Sequence, residues 1–486
     1  ACFLSVAFAD SWPDWRGPGR DGVSRETGLP ERWSPAGENL LWKAPFAGRS
    51  TPVVHNDRVY LFNSAGEGPS TQERVLCLDA GDGRVLWEYR HNVFHSDAPP
   101  RRIAWSSPVV DLETGNVYTY GVAGMMTALT PEGKLVWQRS LIEEFGIFST
   151  HGGRTVSPII EGDLVIVSAV MSVWGEHAPP RHRFLALDKR NGECVWLSAP
   201  GIAPYDTTYS TPVAAEIGGR RLIIAGNADG SVVALKPQTG EPVWRHPISK
   251  RGINTGVVAS ENLVYVSHGE ENLHTSEMGL LAAVDGSRQG ELGPDSVRWQ
   301  TLGFLGGYSS PVIHDGVIYQ IDNGANLFAF DAATGARLWV QKLGTIQKAS
   351  PVVADGKLYV GTENGDFYIL KVGRAGSKIL DKQRLGTETS PEVMTASPAI
   401  SDGRVFVVTD AATYCFGKKT GGPDRVKYTP PARGHGAPAH LMVTPTELTL
   451  KPGQTVRFTA RLLDEKGRFL SAGDASWSLE GIQGDI

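Results

Sequence analysis

The sequence predicts an all-β protein: an eight-bladed β-propeller of four-stranded blades over residues 40–417, its last blade closed by an N-terminal strand, with a truncated immunoglobulin-like β-sandwich segment after it. Three observations predict it. A hydroxyl-proline-valine anchor recurs at intervals of 40 to 56 residues, room for about four short strands per unit. An Asp-turn-Gly-x-x-x-Trp unit follows most anchors, and one more Trp of this kind stands ahead of the first anchor.

Composition agrees. The 486 residues include 57 Gly and 31 Pro but only 20% charged residues, a balance that suits many short strands joined by tight turns. A chain this long exceeds one ordinary core, so several domains or a repeat array are expected. The net charge is −5 and there is no run of five basic residues, which argues against a nucleic-acid partner. No stretch of 18 apolar residues follows the N-terminus, so no transmembrane segment is expected.

Residues 1–9 read as the remnant of a secretory signal. Phe3 to Phe8 is apolar, Ala7-Phe8-Ala9 fits a small-x-small cleavage site, and polar Asp10-Ser11 follows. Export to the periplasm or cell envelope is the expectation. Residues 10–39 form a lead-in. The anchors then begin at Ser50-Thr51-Pro52-Val53-Val54 and Ser106-Ser107-Pro108-Val109-Val110, with Tyr60 and Tyr118 ending the next strand. They return at Ser157-Pro158, Thr211-Pro212, Ser310-Pro311, Ser350-Pro351 and Ser397-Pro398, with a proline-free copy at Asn254-Thr255-Gly256.

The second mark runs from Asp79 through Gly83 to Trp87, from Asp188 through Gly192 to Trp196, and from Asp331 through Gly335 to Trp339. Glycine supplies a positive-φ turn, the Asp bonds its own turn backbone, and the Trp packs between blades. Trp42, Trp87, Trp137, Trp196, Trp244, Trp299 and Trp339 occupy this position. Because Trp42 precedes the first anchor, Leu40 to Pro45 is expected to supply the outer strand of the last blade, which sets the count at eight. Cys77, Cys194 and Cys415 sit singly in apolar strands and read as buried thiols; Cys2 lies in the signal.

At these residues the sequence resembles the quinoprotein-like (PQQ-like repeat) β-propeller family, which includes BamB-like outer-membrane assembly lipoproteins and PQQ-dependent alcohol dehydrogenases. The mark is clearest from Ala329-Phe330-Asp331 through Thr334-Gly335 to Trp339. The lead-in Trp12-Pro13-Asp14-Trp15-Arg16-Gly17-Pro18 with Asp21-Gly22 is similar to the PQQ-like repeat proteins of planctomycetes and acidobacteria. The resemblance implies the fold, and one fold hosts many functions. It implies dehydrogenase activity weakly, since those enzymes resemble one another in carrying an adjacent cysteine pair over the cofactor and the cysteines here stand apart.

Propeller topology indicates where a site would lie. Segments just before each anchor meet around the axis on one face, together with the connections that leave the second strands. The long insertions Arg90 to Trp105, Met171 to Arg183 and His268 to Met278 belong to that face. Its axial ring is Arg49, Arg101, Arg102, Arg154, Tyr209, Arg251, Asn254, Tyr308 and Lys348, with His151-Gly152-Gly153 beside Arg154. The candidate binding set is Arg49, Arg102, His151, Arg154, Tyr209, Arg251, Asn254 and Lys348. Such cations suit a carboxylate-rich ligand, PQQ being one example; solvated loop charges balanced by carboxylates are the competing reading. His91, His95 and Asp97, with His177 and His182, lack a standard zinc spacing, and no metal site is expected.

After Gly417 the chain changes character. Residues 418–438 read as a linker, and 439–486 as part of a bacterial immunoglobulin-like domain, with strands at Leu441-Met442-Val443, Glu447 to Leu450 and Val456 to Ala460 and Trp477 in its core. The functional expectation is an exported, non-catalytic, monomeric binding or scaffold protein that engages a protein or envelope partner through its loop-bearing face and requires no cofactor. The alternative is a PQQ-binding or PQQ-dependent oxidoreductase. A third reading, a structural or envelope-anchoring module, rests on the C-terminal segment.

Overall fold

The computed structural model describes residues 11–93, 99–122, 124–147, 154–171, 180–417, 436–445, 450–464 and 469–480. Within them eight antiparallel sheets follow one another, and a three-stranded sheet lies near the C-terminus. Blade 1 shows the pattern. Val53–His55, Arg58–Ala65, Gln72–Asp79 and Val85–Asn92 pair in chain order from the inside out. Its second strand carries a continuous apolar run, Val59 to Phe62, because both faces meet neighbouring blades. Its outer strand is largely exposed or half-buried.

Blade 8 is composite. Ala399–Ser401, Arg404–Val408 and Thr413–Gly417 are completed by Leu40–Ala44, which pairs antiparallel with Thr413–Gly417. The two ends of the repeat array therefore share one sheet, and the ring closes without a free blade.

Two belts tie the blades together. At the axis, the residue ahead of the anchor proline donates its amide to the hydroxyl of the next anchor in six of the blades. Thr51 N reaches Ser107 Oγ (2.9 Å), Ser107 N reaches Ser157 Oγ (2.9 Å) and Ser157 N reaches Thr211 Oγ1 (3.1 Å). Ser310 N to Ser350 Oγ, Ser350 N to Ser397 Oγ and Ser397 N to Thr51 Oγ1 bring the belt back to blade 1. Blade 5 joins with a one-residue shift: Gly256, standing where proline stands elsewhere, gives its own amide to Ser310 Oγ (2.8 Å). The hydroxyl of the anchor thus has a specific task, since each of these amides is buried and needs an acceptor.

The outer belt is made by tryptophan. Each indole donates to a turn carbonyl of the following blade: Trp42 to Ala80, Trp87 to Pro131, Trp137 to Lys189 and Trp196 to Pro237. Trp244, Trp299 and Trp339 continue to Gly286, Ala332 and Gly373. In five of the seven, the glycine of the next turn lies against the ring. At Gly192, with φ +74°, a Cβ would stand 2.7 Å from the Trp137 indole, so both the backbone angle and the close approach require glycine. The carboxylates of Asp79, Asp188 and Asp331 accept turn amides of Gly81, Arg190 and Thr334, as expected of scaffold residues.

Blade 7 lacks this tryptophan. Its outer strand Gly376–Arg384 carries Asp381 at that register position, and Trp33 from the lead-in, whose amide donates to the Asp381 carboxylate (3.0 Å), enters the gap before blade 8. Trp33 is fully buried, stacks on Phe416 (4.4 Å, 7°) and meets Phe367 and Tyr414 edge-on at 5.8 Å.

The rest of the lead-in crosses the propeller at the end opposite the loops. Trp12 bridges to Val54 of blade 1, Pro13 O accepts from Val110 N of blade 2, and Val23 bridges to Val353 of blade 7. Arg20 pairs with Glu161 of blade 3 (3.0 Å), and the Glu26 carboxylate accepts the amides of Asp402 and Gly403 in blade 8. Arg16 penetrates to the level of the anchors, where its guanidinium donates to Pro351 O (3.1 Å), Asp21 O (2.9 Å) and Pro311 O. Burial lowers this guanidinium to about 10 although Asp21 and Asp14 oppose the shift, and the carbonyl cradle satisfies it. The lead-in is therefore a plug in the short-turn end of the axis.

Blade 4 gains a fifth strand, Gly290–Glu291 from the long blade 5 connection, parallel to Trp244 and Arg245. The three cysteines of the propeller are buried thiols outside any disulfide, and burial pushes the Cys77 thiol up to about 12. The C-terminal strands His440–Thr444, Thr459–Leu463 and Phe469–Ala472 form one sheet that packs Met442, Leu463 and Phe469 against Ile159 and Trp196. Arg461 Nη1 also reaches Asp188 Oδ2 of blade 3 (3.0 Å). Two expectations are corrected here. The strand expected over Val456–Ala460 begins only at Thr459, and Trp477 is 42% exposed, its ring against Phe458, because the sheet turns its Met442 face to blade 3. Residues 447–449 of the strand expected at 447–450 and most of the 418–438 linker lie outside the described residues.

Candidate functional site

The open end of the axis is built by the segments that precede the anchors. Arg49 leads into blade 1, the short turn Pro100–Arg102 and Trp105 into blade 2, Arg154 into blade 3, and Lys348 into blade 7. Together with Pro99, Glu363, Val393, Thr395 and Asp410 they line a cavity of about 590 Å³. Five of these residues are cationic (Arg49, Arg101, Arg102, Arg154, Lys348) and two are carboxylates. Lys348 Nζ pairs with Glu363 at 2.6 Å. Burial lowers the Arg49 guanidinium below the usual arginine range; Asp410 opposes that shift and nearby Arg101 adds to it.

Arg154 forms one wall. Its guanidinium lies 5.0 Å from the Trp105 ring and 5.2 Å from those of Tyr209 and Tyr308, and Nη1 donates to Tyr209 OH at 3.3 Å. The two tyrosines stack at 5.8 Å, and Lys348 lies 5.8 Å over Tyr308. Segments from blades 2, 3, 4, 6 and 7 thus converge on one aromatic-cation cluster.

The structure brings together Arg49, Arg102, Arg154, Tyr209 and Lys348 of the eight candidate residues. Arg251 turns away, since its partner Glu271 (3.3 Å) is on the blade 5 rim, and neither it nor Asn254 lines the cavity. The shifted blade 5 anchor explains this, because the segment ahead of it is tied down by Ile253 N to Asn227 O and Lys250 N to Glu271 O. His151 lies outside the described residues, as do His95, Asp97 and His177. His91 is engaged by Glu73 (3.2 Å) and His182 by Asn227; burial lowers His182 to about 4, with Asn227 and Asp229 opposing. Among the described residues, no three His, Cys, Asp or Glu side chains are grouped as metal ligands.

Sequence reasoning missed Trp105, Glu363, Asp410 and Glu73. Glu363 and Asp410 follow the second strands of blades 7 and 8, the other class of connection on this face, and that position was the available signal. Glu73 is a fully buried carboxylate on the third strand of blade 1. It accepts the amides of Ala104 (2.8 Å) and Val122 (3.0 Å), and it fixes the corner from which Trp105 projects.

The fold and this site define a closed repeat propeller, plugged at one axial end and carrying a cation-rich cavity at the other. A family model described as outer membrane protein assembly factor BamB matches residues 31–173, 71–341 and 277–373, and the chain belongs to that family. The BamB of Moranella endobia (strain PCIT) is 23% identical over 334 residues, spanning 66% of this chain and 74% of that protein. Among solved structures, BamB from Moraxella catarrhalis superposes with a TM-score of 0.56 at 16% identity, covering 78% of this chain and 99% of that one. A europium-containing methanol dehydrogenase superposes with a TM-score of 0.62 at 15% identity, over 82% and 90%. At these identities the structural likenesses speak for the fold alone.

Proposed function

We propose that this is an exported, non-catalytic binding propeller of the bacterial envelope, BamB-like in role, which acts as a monomer and grips a protein partner with its loop-bearing end. In this reading residues 10–39 are a structural plug, 40–417 the propeller, 418–438 a linker and 439–486 an immunoglobulin-like segment. The observation that carries the reading is the asymmetry of the axis: the lead-in occupies the short-turn end, while the cationic cavity opens among the loops. Rigid scaffolds that gather long connections at one end bind there. Photo-crosslinkers at Ile202 and Leu305, exposed on anchor-preceding loops, test it in envelope preparations against crosslinkers at Gly316 and Gly356 in the short turns. Adducts to assembly-machinery proteins from the first pair alone are expected; adducts from the second pair alone, or quinone-dependent oxidation of alcohols by the pure protein, would overturn the proposal.

One observation favours a second reading. The donor set of the cavity, with five cations and the Trp105 ring, fits a planar, carboxylate-rich group such as PQQ, which when bound supplies two-electron acceptor chemistry. In that case Arg49, Arg101 and Lys348 hold carboxylates and Trp105 flanks the ring. A thermal shift on adding PQQ with calcium is its test.

A further inference from the structure

Among the described residues, the cavity is lined by five cations and two carboxylates. Burial lowers the Arg49 guanidinium, Asp410 opposes this and the nearby Arg101 charge adds to it, a repulsion on Arg49 that an incoming anion would relieve. The loop that brings Arg101, Arg102 and Trp105 to the cavity is held in a conformation it would not choose alone. Ala104, in its corner, has φ +52°, a left-handed angle that strains an alanine. The Glu73 carboxylate over-determines that corner: it takes the Ala104 and Val122 amides and is itself braced by His91 Nε2, whose ring stacks on Phe62. Gly121 lies against the carboxylate so closely that any side chain there would overlap it. A buried acid, a strained alanine and an obligate glycine are together spent on placing two arginines and a tryptophan.

The surroundings of the cavity indicate the size of the ligand. Ile346, Leu305, Ile202 and Tyr205 are 42% to 54% exposed, and all lie on anchor-preceding segments of the same face. Exposed apolar side chains on the face that carries a charged centre fit a polypeptide better than a small anion, which would leave them in water.

We propose that this cavity is the docking point for an acidic, apolar-flanked segment of a protein partner, with Glu73 as the positioning residue that presets it. The proposal rests on the binding role given above and names the chemistry of that partner.

The probe is a fluorescent hexapeptide alternating leucine and glutamate, titrated by anisotropy at low salt and at 0.5 M salt. Its control replaces glutamate with lysine. The acidic peptide should bind and weaken with salt, and the lysine peptide should not bind. Replacing both arginines in the Arg49→Ala, Arg101→Ala double variant should weaken binding at least about ten-fold, since each charge-assisted contact carries that order of affinity. Glu73→Gln should lose hydrogen-exchange protection at Ala104 and Val122 while the anchor amides stay protected, and should weaken the peptide in parallel. Equal binding of the two peptides, unaltered binding by the double variant, or binding of citrate or PQQ without binding of the peptide would each overturn the proposal. Crosslinks from Ile202 and Leu305 that persist in the double variant would sink the cavity's role while leaving the face's role intact.

Discussion

Trp33 tests the claim that the lead-in is part of the propeller. Every other gap between neighbouring blades receives its tryptophan from an outer strand; the gap between blades 7 and 8 receives it from residue 33. Trp33→Ala removes a fully buried indole together with one stacked and two edge-on ring contacts. A buried Trp→Ala change costs about 3–5 kcal/mol, and each aromatic pair adds about 0.5–1.5 kcal/mol beyond area, so the upper half of that range is expected. For a propeller of this length the unfolding entropy converts about 4 kcal/mol into a Tm loss of roughly 5 °C. Urea and thermal unfolding measure it, with Trp477→Ala as the control, because that ring is 42% exposed and its loss should cost under about 1 kcal/mol. A repeat array can lose cooperativity, so the Trp33→Ala transition should also broaden or split. If Trp33→Ala were no more costly than Trp477→Ala, the lead-in would be an ornament and the plug reading would fail.

The remaining predictions concern the belts, the blade 5 anchor and acid stability. Among the described residues Trp33 Nε1 has no acceptor, whereas Trp244 Nε1 donates to Gly286 O, so Trp244→Phe should cost about 1–3 kcal/mol more than Trp33→Phe in urea titrations. Gly256→Pro restores the repeat consensus yet should destabilise, because it deletes the amide that bonds Ser310 Oγ and adds atoms where the Trp15 ring lies 3.2 Å from a Cβ; a stable Gly256→Pro protein would contradict the reading. Burial pushes the Glu161 carboxyl up, but Arg221 and Arg20 more than offset this and hold it at about 2, below its ordinary 4.5. Its contribution of about 3 kcal/mol is therefore full above pH 4.5 and lost as the pH falls toward 2, so the stability gap between wild type and Glu161→Gln should close over that window.

The scaffold was legible because its rules are local and repeated. The Gly-Trp unit, the anchor spacing and the advanced position of Trp42 each report a contact between adjacent blades, and adjacency is what a repeat encodes. What a repeat does not encode is the partner of a residue that belongs to no repeat. Trp33 looked like lead-in sequence, and only the missing indole of blade 7 gives it a place. The site shows the same division. Arg49, Arg102, Arg154 and Lys348 were found because they precede anchors. Arg251 precedes one too, but the blade 5 anchor is shifted, and the local rule misplaces it. Glu73 was hidden entirely, since its partners at 104 and 122 are amides, and amides carry no sequence signature.

The departures from the repeat are informative because two of them trace to the same segment. Blade 5 has glycine for proline where Trp15 of the lead-in passes. Blade 7 lacks its tryptophan where Trp33 of the lead-in enters. A repeat drifting without constraint would lose its consensus residues at unrelated places. Here each loss is matched by a lead-in side chain that fills the space the consensus residue would have taken. The lead-in and the propeller are therefore one structural unit, and the plug follows from the way the blades are built. Under the proposed binding role, that leaves the other end to engage a partner. Residues there, such as Glu73, the left-handed Ala104 and the Arg154 cluster, obey no repeat rule, and their cost to folding is explained by the cavity they shape.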